Sequence, residues 1–117
     1  MVIGLELGGE AKGYDLDQLK GRGVVNDEVG RTPVVLVTDT AKTSAFAYNR
    51  DCEGQVLDFA VSEAGMTDTQ TGSQWDWFGV CVAGEMQGKQ LSQLQSYQQY
   101  VRSWIEFHPT TGFFDFN

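Results

Sequence analysis

One histidine, two cysteines, two prolines and eight basic residues are all that this 117-residue chain brings to several common chemistries. His108 is the single imidazole, so a multi-histidine metal site is excluded, and any histidine-dependent triad would have to use that one residue. Cys52 and Cys81 stand too far apart to form a C-x-x-C pair. They read first as two free thiols, with Cys81 in a core strand, and a single disulfide is the alternative. No stretch approaches the roughly 20 apolar residues of a membrane span. Neither G-x-x-x-x-G-K-[ST] nor G-x-G-x-x-G occurs, which removes the usual glycine-rich phosphate cradles. The opening "MVIGLELGG" lacks the basic segment and the length of a signal peptide, so the expectation is a cytoplasmic protein or one that has lost its leader. Bases are outnumbered by 16 acids, for a formal net charge of −8. Such a chain repels phosphate backbones, and no nucleic-acid partner is expected. Solubility is the first reading of the excess acid, and a salty environment the second.

What the chain does have is glycine and aromatic residues. Fourteen glycines in so short a sequence favour many tight turns, while 41% hydrophobic and 12% aromatic content is that of a folded domain. One domain spanning 1–117, with a modest core, follows from the length. "VIGLELGGEAKGY" reads as two short strands around Gly8-Gly9. "DLDQLK" reads as one or two helical turns capped by Asp15. Strands at 24–28 and 33–38 form a hairpin through Gly30-Arg31, with Pro33 at a strand start or on an edge. "SAFAYNRDCEGQVLDFAVS" is expected to form a third hairpin with "RDCEG" at its tip. "QWDWFGVCVAG" is expected as an aromatic strand with Trp75 and Trp77 on one face and Asp76 on the other. In "SQLQSYQQYVRSWIEFH", Leu94, Tyr97, Val101, Trp104 and Ile105 recur at helical spacing. That pattern predicts an amphipathic helix capped at Ser92 and ended by Pro109. "GFFDF" returns as a short strand. The fold class is therefore mainly β (α+β): antiparallel hairpins forming a curled sheet or partly open barrel, with one C-terminal amphipathic helix packed on it.

Five segments, "VIGLELGGEAKGYDLDQLKG", "VVNDEVGRTPVV", "FAYNRDCEGQVLDFAVS", "TQTGSQWDWFGVCVAGEMQGKQL" and "YVRSWIEFHPTT", occur in an order that resembles the domain-of-unknown-function 3179 (DUF3179) family. "VVND" and "QTGSQW" are the most specific of these. The resemblance implies a bacterial or archaeal protein of a family whose members are often exported and have no established activity. It also implies a candidate site built from a Cys-x-x-Cys-Gly-Thr stretch and a His-Glu pair just before "VVND", suited to a transition metal or to thiol redox chemistry. This chain departs from each of those positions. Asp39 and Lys42 stand at the two cysteines, and Arg22 and Gly23 stand at the His-Glu pair. The link between "FAVS" and "MTDTQTGS" is several residues shorter, without the family's polar Asn-Ser-Asp segment.

Because the losses fall on the candidate site and spare the turns and aromatics, the first functional reading is a non-catalytic ligand-binding or protein-interaction module. Its candidate ligand residues are Arg22, Asp39, Lys42, Trp75 and Trp77. Arg22 and Lys42 would suit a carboxylate or phosphate, and a solvent-facing tryptophan would suit a sugar or peptide. A plain charge pair at these positions, and a core role for the tryptophans, are the competing structural readings. The alternative function is an enzyme or redox protein using a rebuilt site at Arg22, Asp39 and Lys42, or the thiols Cys52 and Cys81. Glu63, Asp68 and Asp76 have no spacing that brings two of them together as an acid/base pair. His108 is expected to cap or pack at the helix end. No cofactor or metal is expected, and self-association is left open.

Overall fold

The computed structural model describes residues 1–39, 41, 44–63 and 65–116. Along the chain the elements are β1 (Val2–Leu7), β2 (Glu10–Asp15), α1 (Leu16–Arg22), β3 (Val24–Val29), β4 (Thr32–Thr38) and β5 (Ala45–Asn49). They continue with β6 (Asp51–Cys52), β7 (Gln55–Val56), β8 (Phe59–Ser62), β9 (Gly65–Asp68), β10 (Gln74–Trp75) and β11 (Cys81–Ala83). The chain closes with β12 (Gln93–Leu94), β13 (Tyr97–Gln99), α2 (Val101–Phe107) and β14 (Gly112–Phe113). These strands form three four-stranded sheets, ordered β13-β1-β2-β14, β12-β5-β4-β3 and β11-β10-β9-β8, and a small β6-β7 ribbon. Pairing is antiparallel except where β14 lies parallel to β2. The mainly-β expectation holds, and the sheets stay open and do not close into a barrel. Among the described residues, no helix is long and apolar enough to cross a membrane.

The middle sheet divides the apolar interior in two. Val34 and Leu36 of β4 pack with Ile3, Leu5, Tyr14 and Leu19, whereas Val35 and Val37 pack with Leu57, Phe59, Met66 and Trp75. A strand with core on both faces must be apolar at every position, and "VVLV" is such a run. The β3–β4 turn at Gly30-Arg31 has positive φ at both residues (54° and 68°), a geometry whose twist matches that of the flanking strands. Its tip meets the β1–β2 turn so closely that a Cβ on Gly30 would lie 2.1 Å from the Leu7 carbonyl oxygen. Only glycine fits there. α1 begins as expected, with the Asp15 carboxylate accepting from the Gln18 amide at 3.0 Å.

Three local expectations are corrected. Residues 45–62 do not form one hairpin. β5 pairs with β4 and β12, "DCEGQV" closes its own ribbon, and β8 joins the third sheet through β9. The aromatic strand is broken at Asp76, whose Oδ1 accepts from the Phe78 and Val80 amides at 2.9 and 3.0 Å and turns the chain. Helical structure at the C-terminal end is confined to Val101–Phe107, with Tyr100 and not Ser92 at its N-cap. The segment before it supplies edge strands, Gln93–Leu94 on β5 and Tyr97–Gln99 on β1. Open edges of two sheets satisfy those backbone groups, and that gain overrides a stripe of helical period in a glutamine- and serine-rich segment. The helix ends at His108 as expected. The His108 ring packs against Trp104 with centroids 4.0 Å apart and the planes tilted by 40°, and its Nδ1 lies 3.1 Å from Glu6 Oε2.

Candidate functional site

Where the second and third sheets meet, the chain makes two kinds of contact, one closed and one open. At the closed contact Asn26 of β3 spans the gap. Its side-chain amide donates to the Phe59 carbonyl at 2.8 Å and accepts from the Phe59 amide at 2.9 Å, standing in for a strand partner of β8. Beside it Arg50 is almost fully buried and spends its guanidinium on main-chain carbonyls. Nε donates to Val34 at 2.7 Å, Nη1 to Leu57 at 3.1 Å and Nη2 to Asp27 at 2.7 Å. Nη1 also reaches the exposed Asp58 carboxylate at 3.0 Å. A second polar knot lies in "TDTQTGSQW". There the buried Asp68 accepts from Trp75 Nε1 at 2.8 Å and from the Thr71 amide and hydroxyl. "VVND" and "QTGSQW" are thus joints of the framework.

The open contact is a cleft of about 210 Å³ lined by Gly23, Thr38, Asp39, Val61, Ser62, Glu63 and Trp77. Its walls come from three places. α1 ends at Gly23 with φ at 81°, and the Gly23 amide closes the helix by donating to Leu19. The Gly23 carbonyl then receives the Thr38 amide at 2.9 Å, fixing the helix end to the end of β4. A Cβ at Gly23 would come within 3.2 Å of Val61, so glycine satisfies the left-handed backbone and keeps this wall clear. Asp39 starts the next link, its amide donating to the Ser44 carbonyl at 3.2 Å. Trp77 sits on the Asp76 turn, half-buried, and its carbonyl accepts from the Tyr48 hydroxyl at 2.7 Å. Burial and then the nearby Asp76 carboxylate push the Tyr48 phenol up to about 12, so the hydroxyl stays protonated and able to donate. Val61 keeps 65% of its surface open although it lines the cleft.

The five candidate ligand residues separate in space. Asp39 and Trp77 share the cleft, together with Gly23 from the His-Glu position. Arg22 donates to the Phe116 carbonyl and lies over the Phe116 ring, 5.6 Å from its centroid. Trp75 is fully buried and packs edge-on against Phe59. Lys42 lies outside the described residues. Of the three acids considered, Glu63 lines the cleft, Asp68 is spent on Trp75 and Thr71, and Asp76 shapes the turn. Cys52 and Cys81 are free thiols buried in the core between the second and third sheets. Burial, followed by the neighbouring Glu53 carboxylate, pushes the Cys52 thiol up. Among the described residues no group of three or more His, Cys, Asp or Glu is placed to hold a metal ion.

Sequence reading missed Arg50 and Asn26 as joints, and Val61, Ser62 and Thr38 as cleft walls. One signal was available for Arg50, a cation directly after the buried strand "AFAYN". The cleft walls had none, because they depend on which strand ends meet.

No curated protein and no solved structure matches the chain at a significant level. A family described as "protein of unknown function (DUF3179)" matches residues 1–111, nearly the whole length, and the chain belongs to that family.

Proposed function

We propose that this chain is a non-catalytic binding module that takes a small ligand in the cleft between Gly23, Asp39, Val61 and Trp77. The observation that carries the reading is the meeting of Asp39, Gly23 and Trp77 at one open cavity. Family resemblance places the first cysteine at Asp39 and the glutamate at Gly23, so two positions of the family's candidate site border this cavity. An indole half-open on a turn that Tyr48 and Asp76 hold in place offers a preformed stacking surface. Arg22, next to Gly23 in sequence, belongs to this reading as a flanking charge, and Lys42 lies outside the described residues. The thiols support it as well. A buried cysteine with a raised pKa holds little thiolate, which disfavours Cys52 as a nucleophile or redox centre. The net charge of −8 favours a ligand other than nucleic acid.

A thermal-shift screen across metals, anions, sugars, nucleotides and amines tests it, run in parallel on Val61→Phe, which fills the cleft, and Trp77→Ala. The expected result is at least one compound that stabilises the parent chain and neither variant. A flat response, or a hit that both variants retain, overturns the cleft as the ligand site.

A further inference from the structure

We infer that the outer face of the β13-β1-β2-β14 sheet, with α2 at its centre, is a homodimer interface whose occupant is a second copy of this chain. The face lies on a different sheet from the cleft, and neither site needs the other.

A single side chain seats α2. Trp104 is the buried residue of the helix, and it lies over Gly4 and Gly13, which face each other across β1 and β2 and alternate with the core residues Ile3, Leu5 and Tyr14. A Cβ on Gly4 would come within 2.4 Å of the indole, and one on Gly13 within 3.2 Å of its Nε1. Nε1 donates to the Thr111 hydroxyl at 2.7 Å, and the Tyr97 ring stands 6.5 Å from the indole on the β13 side. Phe113 of β14 lies beside Gly13 on the other side. The helix is thus fixed to the sheet, but its apolar residues are not used up. Tyr100 and Phe107 keep 72% and 75% of their surface open, and Tyr97, Val101, Ile105 and Phe113 around them are exposed as well. With about 150–250 Å² for a whole aromatic side chain, these six leave open on the order of 500–600 Å² of apolar surface. Homodimer interfaces are about 65% apolar, so this amount matches roughly 800–900 Å² per partner, the usual size of a stable interface.

Charge selects the partner. Arg102 and Glu106 are exposed one turn apart on the side of α2 away from Trp104, and among the described residues neither has an ion-pair partner. Two α2 helices apposed antiparallel about a two-fold axis bring Arg102 of each copy to Glu106 of the other. One patch then supplies two reciprocal pairs, as an isologous contact requires. The face is also poor in unbalanced acid. Residues 86–114 hold one acid, Glu106, and two bases, whereas residues 1–85 hold 14 of the 16 acids. Glu6, the acid of β1 beside the helix, is met by His108. On a chain of net charge −8, this is where two copies can approach with little repulsion.

Sedimentation velocity of the whole chain from about 1 to 100 µM, the weak end for an interface of this size, should show a monomer–dimer equilibrium. Phe107→Asp should weaken the dimer about tenfold or more. Arg102→Glu and Glu106→Arg each set like charges against one another, and each alone should weaken it by a similar factor. Mixed in equal amounts, those two variants should regain the parent's affinity as a heterodimer, because every pair across the axis is then of opposite sign. All three positions are exposed, so far-UV circular dichroism and melting of the monomer should be unchanged. A chain that stays monomeric throughout overturns the inference, even if the face then takes a peptide or a lipid vesicle. A dimer that survives all three substitutions overturns it too, since the contact then lies on another face. Weakening by both charge variants with no recovery in the mixture overturns the antiparallel two-fold arrangement.

Discussion

Strand β8 has a locked end and an open end, and the difference separates architecture from candidate chemistry in this molecule. At Phe59 the strand is gripped by Asn26, with Arg50 alongside, and each polar atom there meets a backbone partner at 2.7–3.1 Å. At its other end, Val61 and Ser62 of the strand, with Glu63 just beyond it, border a cavity, and Val61 is exposed. Polar side chains are abundant at both ends. What distinguishes them is whether burial has committed their hydrogen bonds to the framework. Buried polar groups without partners are costly, and at the locked end the Asn26 amide and the Arg50 guanidinium are paired with main-chain groups.

The largest effect is expected from breaking the locked end at its centre. Arg50→Ala removes the donors to the Val34, Leu57 and Asp27 carbonyls and leaves them buried, which should cost about 3–5 kcal/mol in denaturant unfolding. Asp58→Ala removes the exposed partner of the same guanidinium and should cost less than about 1 kcal/mol. Equal losses from the two would mean that Arg50 acts as an ion pair and not as a backbone clamp. Next in size is Asn26→Ala, which strands the amide and carbonyl of Phe59 and should cost about 2 kcal/mol. If that loss is real but amide exchange at Phe59 is unaffected, β8 is held by something other than Asn26.

How much of this the sequence reveals depends on the range of the contact. Asp15 capping α1, the Gly30-Arg31 turn and the all-apolar β4 follow from neighbours a few residues away, and they are legible. The helical stripe from Leu94 to Ile105 misleads, because its first half is claimed by the edges of β5 and β1, whose need for partners no local period encodes. Trp75 and Trp77 look equivalent two residues apart, yet Asp76 turns the chain between them and sends one to the core and the other to the cleft. Asp39 drew attention through the family resemblance, and the structure places it on the wall of the cleft. Its cleft partners Val61 and Glu63 come from 22 and 24 residues further on and are joined to it only by the packing of two sheets.

Tyr48 connects the two regions and gives the comparison a pH axis. Its ring lies in the core and its hydroxyl donates to Trp77 at the cleft. The folded-state pKa, about 12, is above the ordinary tyrosine value near 10. The protonated form is therefore favoured by folding. Its contribution is complete below the unfolded-state pKa and is lost as pH rises through the folded-state one, since the unfolded chain releases its proton first. Stability should decline between about pH 10 and pH 12, and Tyr48→Phe should make that decline shallower. Ionisation also removes the donor to the Trp77 carbonyl, so Trp77 fluorescence should shift over the same range in the parent chain. An unchanged slope in Tyr48→Phe would show that the alkaline transition starts elsewhere.

The smallest stability effect belongs to the open end, where it is the most diagnostic. Val61 is 65% exposed and two residues from the buried Phe59 on the same strand. If the cleft is spare space and not a flaw in packing, Val61→Phe should leave unfolding free energy within about 0.5 kcal/mol of the parent. Phe59→Ala should cost about 3–5 kcal/mol, as the loss of a buried aromatic does. A clear stabilisation by Val61→Phe would mean that the cavity is an underfilled part of the core, which argues against a site kept open for a ligand. Near-neutrality together with loss of ligand-induced stabilisation would set the two ends of β8 apart by function as well as by packing, because the same substitution would then act on binding alone.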